Sequence, residues 1–277
     1  MAALVTESLL LEVCVDSVQS AIAAAAGGAD RLEVCSNLGA GGGTTPSLGL
    51  VKSIRKALRD ISLMILIRPR VGDFVYTKQE VEVILEDIRM FKNIGSIRGF
   101  VVGALDREGR VGVECMKRIV DEILPLEVCF HRAFDMTRDA IEAFSTISDL
   151  GGVSRILTSG LKPKAPDGLP TLEKLFKTRK QLVEDDAWGL TIMPGSGINS
   201  STISPLLKSL IPLGLREIHL SGGTWMPGQM VFRRPGMGMG VDEDPKKEWG
   251  VWCTNEEEIR KVRKLADDVW KEFLPTM

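Results

Sequence analysis

The sequence predicts a single (β/α)₈ barrel with a long loop between strand 8 and helix 8. Short apolar runs alternate with helical patterns along the whole chain, which indicates a parallel sheet with helices outside it. Eight such units fit into 277 residues, a size typical of a closed barrel. No linker stands out in the sequence, so the alternative, a doubly wound open sheet, has no clear edge or domain boundary.

Each predicted strand is a short apolar run bounded by polar or glycine-rich sequence. In chain order the strands are 9–15, 31–35, 62–70, 99–105, 126–135, 154–160, 190–197 and 215–223. Apolar residues three and four positions apart, which share one helix face, follow the strands. Start signals support three of the helices: a capping box at Thr77 and Glu80, Pro170 in a first turn, and Asn255 with Glu258 completing a cap.

Residues 222–254 interrupt this alternation with a segment rich in Met, Trp, Gly and Pro. A loop of this length is usually functional or disordered, so we expect a lid over the barrel, an oligomer contact or a tethered surface excursion. Residues 1–8 are predicted to be a tail, and 1–277 one barrel domain.

Composition excludes several classes of function. The net charge of −2 provides no basic field for nucleic acid, and no apolar run reaches the roughly 18 residues of a membrane span. The N-terminus lacks the basic region of a signal peptide. Five cysteines without paired spacing do not indicate a disulfide framework. We therefore expect a cytoplasmic protein that binds neither nucleic acid nor membranes.

The residues Leu-Glu-Val-Cys occur three times, at 11–14, 32–35 and 126–129. Side chains of a strand alternate between two faces, and the outward face of a barrel strand packs against helices. The Leu and Val residues are therefore predicted to point outward, and each Glu and Cys inward. Buried carboxylates require partners. The candidate partners are Arg31, Arg68, Arg70 and Arg155.

Two inward thiols indicate a soft-metal site. Cys14 and Cys35 lie on neighbouring predicted strands, and strands about 4.8 Å apart in a staggered barrel bring the two sulfurs within about 4–6 Å of each other. Cu(I) prefers such ligands. The alternative is that both cysteines are small buried apolar residues. Cys129 lies across the barrel and is not expected to join them.

The C-terminal strand ends, where such barrels have their active sites, predict a different function. His131, Arg68, Asp135 and His219 are candidate catalytic residues there, because they can move protons or hold charge. Glycines in the loops after strands seven and eight allow backbone N–H groups to approach an anion. These glycines, which tight turns would also explain, are Gly195, Gly197 and Gly222. The alternative function is thus a lyase, isomerase or hydrolase acting on a small anionic or phosphorylated substrate. A non-catalytic scaffold that binds a protein partner is the third possibility.

Several motifs appear in order along the chain: LEVCVDS, GGADRLEVCSNL, GGTTPS, IRPRVGDFVY, FVVGAL, FHRAFDM, RILTSG, IMPGSGI and EIHLSG. Through them the chain resembles the CutC copper-homeostasis family from about Leu11 to Leu220. The resemblance implies a cytoplasmic, homo-oligomeric (β/α)₈ barrel that serves copper homeostasis, with Cu(I)-binding cysteines corresponding to Cys14 and Cys35. It brings no established reaction. The chain departs from the family at Cys129, where Thr is familiar, and in the longer 222–254 segment.

Overall fold

Eight parallel strands form a nearly closed barrel in the computed structural model, which describes residues 8–182, 189–234, 236–238 and 245–274. The strands are hydrogen-bonded in the order β7-β6-β5-β4-β3-β2-β1-β8, and a parallel bridge between Gly195 and His219 links β7 to β8. The fold class predicted from the alternating pattern is confirmed. The strands are β1 Leu10–Val15, β2 Arg31–Val34, β3 Ser62–Leu66, β4 Gly99–Val102, β5 Glu127–Phe130, β6 Arg155–Thr158, β7 Thr191–Pro194 and β8 Glu217–Leu220.

Helices follow the strands and cover the outside of the barrel. In chain order they are α1 Val18–Ala26, α2 Leu38–Gly41, α3 Leu48–Ala57, α4 Lys78–Ile94, α5 Val113–Ile123, α6 Ala140–Leu150, α7 Leu169–Leu182, α8 Ile203–Leu210, α9 Pro245–Glu248 and α10 Glu256–Glu272. In the part of the chain that the structure describes, no helix has both the length and the apolar character to cross a bilayer.

Two apolar clusters show that the strands alternate as predicted. Leu11, Val13, Leu32 and Val34 belong to the large cluster between strands and helices. A separate, smaller cluster fills the barrel interior and is rich in sulfur. Its buried members are Cys35, Met64, Leu66, Val101, Cys129, Leu157 and Met193.

A network of ion pairs satisfies the inward carboxylates. Arg31 contacts both Glu12 and Glu217, and Arg155 contacts Glu217 at 3.1 Å and Glu127 at 2.7 Å. Two of the four predicted arginine partners are therefore correct. The other two were wrong, because Arg68 donates to backbone carbonyls, whereas Arg70 pairs with Asp73 and Glu80.

Side-chain caps mark the starts of several helices. The capping box at Thr77 and Glu80 is present, and Ser17 caps α1. Asn255 caps α10 by accepting from the Glu258 N–H. The Glu258 carboxylate does not complete that cap as predicted, because it accepts hydrogen bonds from Ser200 instead.

The 222–254 segment contains structure that the sequence did not predict. Its described residues include an antiparallel pair, β9 Gly223–Pro227 and β10 Gly250–Thr254. Trp225 and Trp252 meet edge to face, with ring centroids 5.6 Å apart. Both contact α2, where a Cβ on Gly39 would lie within 2.9 Å of each side chain. The pair therefore packs beside the barrel mouth.

Candidate functional site

A cavity of about 550 Å³ opens at the C-terminal ends of the barrel strands. Its walls combine strand-end side chains with the loops after β7 and β8. The predicted site residues that line it are Cys14, Arg68, His131, Gly197, His219 and Gly222. The predicted residues that do not line it are Cys35, Asp135 and Gly195.

The two candidate metal-binding thiols are both buried and free, but only Cys14 reaches the cavity. The β1–β2 register pairs Cys14 with Glu33 and Val15 with Val34, so Cys35 lies two residues further along. That offset separates the two Cα atoms by about 8 Å, which is too far for a disulfide without backbone movement. Burial raises the pKa of both thiols, and Cys14 adds to the effect on Cys35.

His219 lies between Cys14 and the buried carboxylate of Glu12. Its Nδ1 is 2.8 Å from Glu12 Oε1, and its ring also contacts the Cys14 thiol. Burial opposes the protonated ring, but contacts with Cys14, Glu12 and Glu33 outweigh burial and raise the pKa of His219 well above its usual value. Because Glu12 occupies Nδ1, Nε2 is the ring nitrogen left to act toward Cys14.

Glu33 is the carboxylate of the site with the fewest partners. Its Oε2 is buried without a hydrogen bond and lies 3.9 Å from His219 Nδ1. Burial raises the pKa of Glu33 to about 7, with the nearby Glu12 carboxylate adding to the effect. Ligand atoms of Glu12, Glu33 and His219 lie within 4.8 Å of one another, a spacing that can hold a metal ion.

His131 occupies the opposite wall. Its Nδ1 accepts from the Ala133 N–H at 3.1 Å, which starts a short 3₁₀ helix and ends β5 earlier than predicted. The ring packs at 4.9 Å from Phe74. A Cβ on Gly103 would come within 2.5 Å of His131 Nδ1, so only glycine fits beside the ring. Burial, and then Arg68, lower the pKa of His131 to about 3.

Arg68 and Asp135 serve the walls of the site. Arg68 donates to the carbonyls of Gly41, Gly43 and Gly72, which ties the loop after β2 to the loop after β3. The Asp135 carboxylate accepts from Thr158, Ser159, Leu161 and Arg132 and anchors the loop after β6. With so many donors engaged, Asp135 is committed to that loop.

Glycines of the loops after β7 and β8 line the cavity together with a carboxylate from α10. Gly197 and Gly222 have positive φ values of 68° and 54°, a conformation that glycine adopts readily. Glu258 also lines the cavity, and its oxygens accept from the Ser200 N–H at 2.7 Å and the Ser200 hydroxyl at 3.0 Å. The protein's own carboxylate therefore occupies donors of the loop that was predicted to hold an anion.

Comparison with known proteins identifies the family of this barrel. The model of the CutC family matches residues 9–224. The chain belongs to the CutC family. The Copper homeostasis protein cutC homolog of Mus musculus is 38% identical over 260 residues, covering 94% of this chain and 90% of its own. The human protein of the same name is 37% identical over 260 residues, with the same coverage. A family protein CutC from Klebsiella pneumoniae strain 342 is 37% identical over 262 residues, covering 95% and 99%.

Solved structures agree with this membership. The crystal structure described as the putative copper homeostasis protein CutC from Streptococcus agalactiae superposes with a TM-score of 0.68 at 25% identity, covering 77% of this chain and 98% of that one. A Rubisco-like protein from Rhodopseudomonas palustris, at 15% identity and a TM-score of 0.56, shares the fold alone. The fold, the family and its connection with copper homeostasis thus agree with the sequence prediction.

The lining residues that the sequence-derived site lacked include Glu33, Phe74 and Glu258. Glu33 had a detectable signal, because it shares the inward face of β2 with Cys35. Phe74 and Glu258 gave none, since their approach to the cavity depends on loop conformation and on contacts between distant parts of the chain.

Proposed function

We propose that this CutC-family protein serves copper homeostasis in the cytosol by binding Cu(I) through Cys14 and Cys35. One observation carries the proposal: a buried free thiol at the cavity floor contacts His219 and has a second buried free thiol on the neighbouring strand. Thiolates are ligands that select Cu(I).

The chemistry of the surrounding residues fits a soft cation. Metal-binding histidines commonly donate their second ring N–H to a carboxylate, which fixes the ring orientation. Glu12 is positioned to do this for His219, so Nε2 would supply a third ligand beside the Cys14 sulfur. The residues that would hold copper are therefore Cys14, Cys35 and His219.

An anaerobic Cu(I) titration against a competing chelator tests the proposal. Wild type is compared with Cys14→Ser, Cys35→Ser and the control Cys129→Ser, which removes another buried inward thiol on β5. We expect the first two variants to lose at least about tenfold in affinity and the control to match wild type. Equal affinity in all four proteins would contradict the proposal.

Exposed apolar side chains in the 222–254 segment support assembly into a homo-oligomer. They include Met226, Met230, Val231, Phe232 and Val251, of which Val231 is 95% exposed. Contiguous exposed apolar surface is typical of protein interfaces. Deleting residues 226–250 should reduce the mass measured by light scattering to that of a folded monomer; an unchanged mass would contradict this role.

An enzyme acting at the strand ends is the second candidate function. The observation in its favour is that His131, Arg68 and His219 line one cavity, as expected of groups that act on one small molecule. A turnover screen with wild type and His131→Asn would test it, and activity that does not depend on His131 would contradict this assignment.

A further inference from the structure

Three side chains that line the cavity each carry a buried polar atom that makes no hydrogen bond to any residue that the structure describes: Glu33 Oε2, His131 Nε2 and Arg68 Nε. The other guanidinium nitrogens of Arg68 donate to backbone carbonyls, whereas Glu33 and His131 lie on facing walls. Both side chains line the cavity, with residue exposures of only 6% and 5%. Buried polar groups are almost always hydrogen-bonded, so a ligand that satisfies both atoms is the simplest reason for their arrangement.

The two atoms offer different hydrogen-bonding roles. Because the Ala133 N–H donates to His131 Nδ1, that nitrogen carries a lone pair, and the proton of the neutral ring is on Nε2. His131 therefore presents a donor. Glu33 Oε2 presents an acceptor in the ionised form of the side chain. A ligand must accept from one wall and donate to the other, and hydroxyl groups do both.

The walls that carry these atoms face each other. Glu33 is on β2 and His131 follows β5, three strands away in an eight-stranded barrel. A single ion contacting one wall would leave the other atom without a partner. The volume of about 550 Å³ instead suits a small organic molecule that spans the mouth.

The charges around the cavity favour an uncharged molecule. Arg132 is paired with Asp135 at 2.7 Å. Arg68 donates three hydrogen bonds to backbone carbonyls and keeps its positive charge, but the Glu33 and Glu258 carboxylates line the same cavity and oppose that charge. The Glu258 carboxylate occupies the Ser200 N–H and hydroxyl. A phosphate in that loop would meet a carboxylate in place of free N–H donors.

We propose that the barrel mouth binds a small uncharged polyhydroxylated molecule of the monosaccharide or cyclic polyol class, with His131 Nε2 donating to one hydroxyl and Glu33 Oε2 accepting from another. This ligand is separate from copper. Cys14, the cavity residue proposed to bind Cu(I), takes no part in either hydrogen bond.

D-Glucose, D-xylose and myo-inositol are the neutral probes for this site, with glucose 6-phosphate as the charged probe. Binding is measured by saturation-transfer NMR in the presence of a copper chelator, followed by crystal soaks. We expect at least one neutral probe to bind saturably and more tightly than glucose 6-phosphate. Its hydroxyls should lie within hydrogen-bond distance of Glu33 Oε2 and His131 Nε2.

Variants identify the residues responsible. Glu33→Met and His131→Asn should each weaken the neutral probe about tenfold, because each leaves a ligand hydroxyl buried without its partner. Cys14→Ser/Cys35→Ser should bind the probe as wild type does, which separates this proposal from the copper proposal. Glu258→Gln is the matched control among lining residues: it should retain the neutral probe and gain affinity for glucose 6-phosphate. Thermal melts of each variant verify folding.

Three outcomes would overturn the proposal. The first is that no neutral probe binds in solution. Density seen in crystal soaks without binding in solution belongs to this outcome, because it reflects binding at crystal concentration only. The second is affinity that is unchanged in the folded Glu33 and His131 variants. The third is tighter binding of glucose 6-phosphate than of every neutral probe.

Discussion

The ion pairs of Arg31 provide a strong test of how the barrel interior is stabilised. Arg31 is only 4% exposed and contacts Glu12, which has no exposed surface, and Glu217. Arg31→Met keeps the apolar volume and removes the charge. The variant therefore leaves two carboxylates in the barrel with one partner fewer, while packing changes little.

The structure sets the expected magnitude. Removing one member of a buried ion pair costs about 3–5 kcal/mol. Glu12 keeps His219 at 2.8 Å and Glu217 keeps Arg155 at 3.1 Å, so the cost should fall near the lower end, about 3 kcal/mol. For a chain of this size that corresponds to a Tm lower by about 6 °C.

Thermal and urea denaturation of Arg31→Met measure this cost, with Arg89→Met as the matched control. Arg89 pairs with Glu122 on the surface, where its side chain is 44% exposed, and such pairs contribute about 0–1 kcal/mol. The added change Glu12→Gln should cost less in Arg31→Met than in wild type, because the pair is already broken. If Arg31→Met is no less stable than Arg89→Met, the ion-pair account of the barrel interior is wrong.

Three further predictions concern the cavity and its surroundings. The pKa of His131 is lowered from 6.5 to about 3, so between these pH values His131 is protonated in the unfolded chain and neutral in the folded protein, and the free energy of unfolding decreases as the pH is lowered. His131→Asn should make this decrease between pH 6.5 and 4.5 smaller by about 2–3 kcal/mol in urea melts. The same pH dependence in wild type and variant would refute this. Gly103→Ala would bring a methyl group within 2.5 Å of the His131 ring; it should lower the free energy of unfolding by about 1–3 kcal/mol, and wild-type stability would contradict the clash. Trp252→Ala removes the contacts with Trp225 and α2. It should speed amide hydrogen exchange in β9 and β10 and leave exchange in α4 unchanged. Wild-type exchange rates in β9 and β10 would show that the tryptophan pair does not stabilise these two strands.

Much of the architecture follows from periodicity. Strand alternation predicts that Glu12, Cys14, Glu33 and Cys35 face inward, and the structure agrees, because a one-residue slip would turn the apolar set away from the helices. The capping box at Thr77 and Glu80 is equally local. Such features depend on neighbouring residues alone and are therefore readable from sequence.

Features that depend on register and long-range contact were not predictable. The two-residue offset between Cys14 and Cys35 follows from the stagger of β1 against β2, which neither strand encodes by itself. Glu258 matches a local cap signal, yet it binds Ser200, 58 residues away. Asp135 carries a carboxylate of the kind that acts in catalysis, but the loop after β6 surrounds it with hydrogen-bond donors. In each case a tertiary partner prevailed over the local pattern.

We propose that Cys14, Cys35 and His219 hold copper at the barrel mouth. Crystals grown anaerobically with Cu(I) and measured on both sides of the copper absorption edge test it most directly. We expect one strong anomalous peak in contact with Cys14 Sγ, within ligand distance of Cys35 Sγ or His219 Nε2, and absent in Cys14→Ser. A peak confined to the exposed methionines of the 222–254 segment, or no peak in crystals of copper-loaded protein, would contradict it.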